Sequence, residues 1–251
     1  MANETTPRPS KNERREAARE QARLAREAEK KREKRRRLYL QGGVVLGVVA
    51  ILAVVGLVLT QTLKPAGPGP ENMLSGGVTF TKDLKVVKTP SLKDPTAARV
   101  APETDREKLP LDVTIYVDYM CPACGAFEQQ NGTMLENYVG SGDVNLTVYP
   151  INFLDGSSLG TKYSTRAANL FMCVVEQQPD AAFKLHNQLL SAAVQPQEGS
   201  AGLSDKELLE QAKDAGATID GKLRSCVSDR RFGGFIDANY NAASSTGISG
   251  L

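Results

Sequence analysis

Cysteine is absent from the first 120 residues, histidine occurs once, as His186, and no charged residue interrupts the chain between Arg37 and Lys64. Each gap excludes something. With one histidine, a zinc site would have to draw on the four cysteines, and imidazole chemistry has a single candidate. Every thiol or disulfide function falls on Cys121, Cys124, Cys173 and Cys226. A net charge of only +2 removes any argument for nucleic-acid binding from bulk basicity. No repeat period is visible, and Ser157 and Ser158 lie in a turn-like "DGSSLG" without the setting of a nucleophile elbow.

The mild net charge hides two opposed segments. Residues 1–37 hold 14 Lys+Arg against 7 Asp+Glu, and the remaining 214 residues hold 17 against 22. Within the first segment, residues 11–37 read as a polar helix rich in Ala, Glu, Arg and Lys, with Leu24 as its one large apolar residue before Leu38. Next comes Leu38–Leu63, 26 uncharged residues of mainly Val, Leu, Ile, Ala and Gly. About 20 apolar residues suffice for a helix to cross roughly 30 Å of hydrocarbon, so residues 38–63 are expected to form a transmembrane helix. The long leader, and an exit through "TQTLKPAGPGP" without a small-residue cleavage pattern, favour an uncleaved anchor over a signal peptide. "KKREKRRR" abuts the apolar run and places residues 1–37 in the cytoplasm by the positive-inside rule. All four cysteines then lie outside, where disulfides persist.

Beyond the run, residues 64–77 ("KPAGPGPENMLSGG") read as an extended Pro/Gly linker, and residues 78–251 as the exported domain. Val78–Lys88 suggests a short strand or hairpin. "LDVTIYVDY", from Leu111, is β-branched and aromatic without strict alternation, the pattern of a strand buried on both faces. A helix follows from Pro122, with Phe127, Met134, Leu135 and Tyr138 at roughly helical spacing, and then a strand from Asp143 that ends or bends at Pro150. Strand, helix and strand in this order predict a parallel pair. Helices are expected at 163–178, 181–194, from Ser204 with a capping box to Glu207, over "DGKLRSCV", and over "DRRFGGFIDANYNAAS".

The chemistry concentrates in "DYMCPACGAF". Two cysteines three apart can hold a metal, crosslink the chain or exchange electrons, and spacing alone does not choose. Their position does more. Cys121 stands where the strand meets the helix, and a helix N-terminus favours the thiolate, which is the nucleophilic form. Pro122 fits the first helical turn, where its missing N–H costs nothing. Cys121 is therefore expected to attack and Cys124 to resolve the mixed disulfide. Asp118, three residues upstream, is a candidate modulator of the thiol pKa values. The residues around the cysteines are not knuckle-like, which weighs against zinc. His186 is read as a histidine without a catalytic task.

This stretch, with the strand before it and the helix after it, resembles the DsbA-like branch of the thioredoxin superfamily, in particular its membrane-anchored actinobacterial thiol-disulfide oxidoreductases. The resemblance spans about residues 75–251. It implies an α/β thioredoxin-like fold, a βαβ half with a helical insertion, preceded by the membrane helix. It also implies a nucleophilic Cys121, a resolving Cys124, and a structural disulfide between Cys173 and Cys226. The implied partners are cysteine-containing exported proteins, a membrane quinone-linked reoxidase of DsbB or VKOR type, and the lipid bilayer. No cofactor, metal or nucleic acid is expected. Ala123 stands where well-known oxidases carry His, which leaves reductase or isomerase action as an alternative. A further alternative is an inert envelope-binding domain with a structural Cys121–Cys124 bridge. Gly247, Ile248, Ser249 and Gly250 match the family's lead-in to a cis-proline hairpin, but the chain stops at Leu251. The resemblance thus implies that the family's C-terminal ββα half is absent from this sequence.

Overall fold

The computed structural model describes residues 67–97, 99 and 111–245 throughout, together with scattered positions between 19 and 54. The chain divides into two compact units, Met1–Lys64 and Pro65–Leu251. In the first, the described positions are helical and exposed, Val48, Val49, Ile51 and Leu52 among them. Among the described residues no helix is long and apolar enough to cross a membrane. The expected span at 38–63 falls mostly outside them, as does the Gly247–Gly250 lead-in.

The second unit is built on a four-stranded sheet. Strand β1 (Val78–Thr81) turns through a 3-10 turn at Lys82–Leu84 into β2 (Lys85–Val86). β3 (Leu111–Val117) leads into helix α1 (Pro122–Ser141), and β4 (Val144–Pro150) returns beside β3. The order is β2-β1-β4-β3, with β1 antiparallel to β4 and β3 parallel to β4 from Leu111 opposite Val144 to Val117 opposite Pro150. Alternation sorts the side chains. Val113, Ile115, Val117, Leu146, Val148, Val78 and Phe80 share one face. Thr79 and Thr147 hydrogen-bond on the other, where Tyr116 stacks on Tyr149 at 4.9 Å.

Five helices follow: α2 (Tyr163–Gln177), α3 (Ala182–Leu189), α4 (Asp205–Asp214), α5 (Gly221–Ser228) and α6 (Gly233–Ser245). Their starts are chemically marked. Ser204 and Glu207 form a reciprocal capping box, and Asp220 accepts from the Leu223 N–H at 2.8 Å. α2 is buried from Tyr163 to Val175 and forms the centre of the helical layer. Phe80 of β1 meets Phe183 of α3 edge-on at 5.1 Å, joining that layer to the sheet.

Three expectations need correction. The stretch 64–77 is no free linker where it is described. Met73 is fully buried, the Asn72 side chain donates to the Val175 carbonyl at 3.1 Å, and the Gly69 N–H donates to Leu92. Pro/Gly content predicts an irregular backbone, and this one is irregular but packed. β3 is not buried on both faces either: only Val117 of its seven residues is buried and Leu111 is exposed. The doubly buried strand is β4. On α1, Leu135 and Val139 enter the core while Phe127, Met134 and Tyr138 remain largely exposed, so the expected apolar face is split.

Candidate active site

The site forms where β3 hands over to α1. Cys121 is the N-cap residue of α1 in an extended conformation, and Pro122 occupies the first turn. Both Cys121 and Cys124 are free thiols. Asp118 organises the approach. Its main-chain carbonyl accepts from the Cys121 N–H at 3.0 Å, while its carboxylate accepts from Met120 N–H at 2.9 Å and from Leu154 N–H at 2.7 Å. One side chain thus ties the end of β3, the turn before α1 and the loop after β4. Burial pushes the Asp118 carboxyl above its usual value, against the pull of those N–H donors.

Burial also pushes the Cys124 thiol up to about 12, with the charge of Cys121 adding to the rise and a backbone hydrogen bond from Asp118 opposing it. At neutral pH such a thiol stays protonated. Exposure runs the other way. Cys124 is half-buried and lines an open cavity of about 250 Å³ with Ile115, Val117, Ala123, Phe127 and Glu128, while Cys121 is 4% exposed. A thiol that stays protonated is a poor nucleophile however accessible it is.

Sequence reasoning missed Gln195. From the loop after α3, its Nε2 donates to the Cys121 carbonyl at 2.8 Å. A Cβ on Gly125 would collide with the Gln195 amide, so any larger residue here would displace that side chain, and Gly125 makes the approach feasible. Gln129 reinforces this link by donating to the Leu190 carbonyl at 3.1 Å.

The other cysteines lie elsewhere. Cys173 on α2 and Cys226 on α5 form a disulfide with a Cα–Cα distance of 6.1 Å. His186 on α3 is fully buried and bonded to Glu128 and Tyr119, not to Cys121. Among the described residues no three His, Cys, Asp or Glu side chains gather as a metal site.

A family model described as Thioredoxin matches residues 106–250. The chain belongs to the thioredoxin family. Over 110 residues this family member is 31% identical to the serine/threonine-protein kinase PknE of Mycobacterium tuberculosis, a match covering 43% of this chain and 19% of the kinase. The chain therefore spans about a fifth of that curated relative. Among solved structures it is similar to the reduced disulfide bond oxidoreductase DsbG of Mycobacterium tuberculosis, at 30% identity, covering 56% of this chain and 65% of that one, with a TM-score of 0.49. It is also similar to reduced DsbA of Mycobacterium tuberculosis, at 27% identity, 70% and 79% coverage, and a TM-score of 0.52.

Proposed function

We propose that the chain is a thiol-disulfide oxidoreductase that exchanges disulfides through Cys121 and Cys124, acting as an oxidase on cysteine-containing exported proteins. The observation that carries this reading is the pair of free thiols at the N-terminus of α1, one at the N-cap and the other held near pKa 12. In the oxidising direction a substrate thiolate attacks Cys121 and Cys124 leaves. A second substrate thiolate then attacks the mixed disulfide and frees Cys121. The enzyme gains two electrons, and reoxidation falls to a membrane quinone-linked partner of DsbB or VKOR type. An extracytoplasmic setting is supported by the uncharged run Leu38–Leu63 behind "KKREKRRR", which we read as a single-pass anchor with a cytoplasmic N-terminus. Cys173–Cys226 serves as a structural bridge.

The test is titration of the purified chain in glutathione redox buffers, with thiols trapped and mapped by mass spectrometry. An oxidase places the Cys121–Cys124 couple at about −120 to −180 mV. A couple near −270 mV would indicate a reductase instead, the direction that Ala123 leaves open. A bridge resisting reduction below about −300 mV would be structural and would refute exchange.

A further inference from the structure

The turn that carries the two thiols is weakly held by its own residues. Pro122 brings no N–H, and a glycine such as Gly125 loses more backbone freedom in a helix than any other residue. Within the turn, the Cys121 carbonyl accepts from the Gly125 N–H at 3.1 Å. The Cys124 thiol hydrogen-bonds with the Cys121 sulfur, so the reduced chain already holds its two reacting atoms side by side. An attack within one molecule depends on that closeness, and a misplacement of about 1 Å can cost on the order of 10²-fold in rate.

Gln195 supplies what the turn lacks. Its Nε2 donates to the same Cys121 carbonyl at 2.8 Å, from a segment 74 positions away. That segment is itself fixed. The N–H groups of Val194 and Gln195 donate to the Ser191 carbonyl at 3.0 and 2.9 Å, and the Ser191 hydroxyl donates to the Gln188 carbonyl at 2.8 Å. Leu190 is fully buried, and its carbonyl accepts from Gln129 of α1 at 3.1 Å. The Gln195 amide therefore reaches Cys121 from a turn anchored both in the core and on α1. Gly125 admits it, because a Cβ there would collide with the amide. The residue that weakens the turn thus opens the space for the contact that tightens it.

We propose that Gln195 is a positioning residue for the closing step of exchange: through the Cys121 carbonyl it holds Cys121 against Cys124, which shortens the life of the mixed disulfide and favours the internal bond. This rests on the exchange reading above. In the closing step Cys124 releases its proton to water and its sulfur attacks the Cys121 sulfur. The Cys121–Cys124 bond forms as the bond from Cys121 to the partner sulfur breaks, and the partner leaves as a thiolate carrying the electron pair. The two cysteines are oxidised and the partner disulfide is reduced. The preceding attack of Cys121 on an outside disulfide does not need Cys124 alongside. Closure rate and the stability of the internal disulfide both measure the effective concentration of one sulfur at the other, so loosening the turn lowers the two together.

The test uses the full chain in its reduced form with oxidised glutathione as the probe. Acid-quenched mass spectrometry separates formation of the Cys121–glutathione mixed disulfide from its closure. Gln195→Met keeps the length of the side chain and removes the donor. It should form the mixed disulfide at close to the wild-type rate and close it roughly fivefold more slowly. In glutathione redox buffers it should shift the couple toward the dithiol by the same factor, raising the potential by about 20 mV. In a Gly125→Ala chain, where the amide is already displaced, adding Gln195→Met should change neither quantity. If Gln195→Met does not fold, Gln195→Leu takes its place. A folded variant with wild-type closure and potential, or one that slows formation and closure alike, overturns the proposal. So does an effect that persists undiminished in the Gly125→Ala chain. A wild type that never forms or never closes the mixed disulfide overturns the exchange reading instead.

Discussion

Two cysteine pairs share one domain and occupy opposite physical situations. Cys173 and Cys226 are 53 positions apart, come from two helices, and are bonded in the buried helical layer. Cys121 and Cys124 are three apart, belong to one helix start, and are free, one of them on an open cavity. Loop closure explains why these differ in worth. A bond closing a loop of some fifty residues removes much unfolded-state freedom and stabilises by about 2–4 kcal/mol, whereas a bond spanning three residues restricts little. The long-range bridge therefore holds the fold, and the short one can be made and broken without unfolding it. Sulfur chemistry is the same in both; separation along the chain and access divide the roles.

The comparison can be broken at either pair. The largest effect is expected at the short one: Cys121→Ser should reduce disulfide exchange to background, while Cys124→Ser should accumulate mixed disulfides on Cys121, both readable by non-reducing mass analysis. At the long pair, the double replacement Cys173→Ala with Cys226→Ala should cost about 2–4 kcal/mol. That loss lowers the thermal midpoint by roughly 4–16 °C, with exchange per folded molecule retained.

Smaller effects sharpen the picture around the turn. Asp118→Asn sets an amide nitrogen against a backbone N–H donor and should cost about 1–3 kcal/mol. Because burial raises the carboxyl above 3.8 in the fold, its contribution is complete below that pH and is lost as pH rises through the raised value. The penalty of the substitution, followed by denaturant unfolding, should therefore be larger in acid than at pH 7. Gly125→Ala should expel the Gln195 amide and cost about 0.5–1.5 kcal/mol. Adding Gln195→Ala should then cost almost nothing more in the same unfolding assay.

Local signals made much of this legible. Consecutive residues carry "CPAC", and the helix starts are written in Ser204, Glu207 and Asp220, so the fold class, the parallel β3–β4 pair and most helices follow from short windows. What eluded the sequence is non-local. Glu128 and His186 are 58 positions apart, Tyr119 and His186 67, and Gln195 and Cys121 74. Nothing in a window around a lone histidine says that it will face a carboxylate from another helix. Likewise, β-branched content marks β3 as a strand but not as the edge it forms among the described residues. Pro/Gly content marks 64–77 as irregular, but not that Asn72 and Met73 pack into the core.

The most direct test titrates both pairs in one sample, with isotope-coded alkylation of every cysteine across a glutathione series. The account predicts that Cys121–Cys124 passes reversibly between dithiol and disulfide while Cys173–Cys226 stays oxidised throughout. Two pairs that remain oxidised together, or a Cys121–Cys124 couple that never closes, would contradict it.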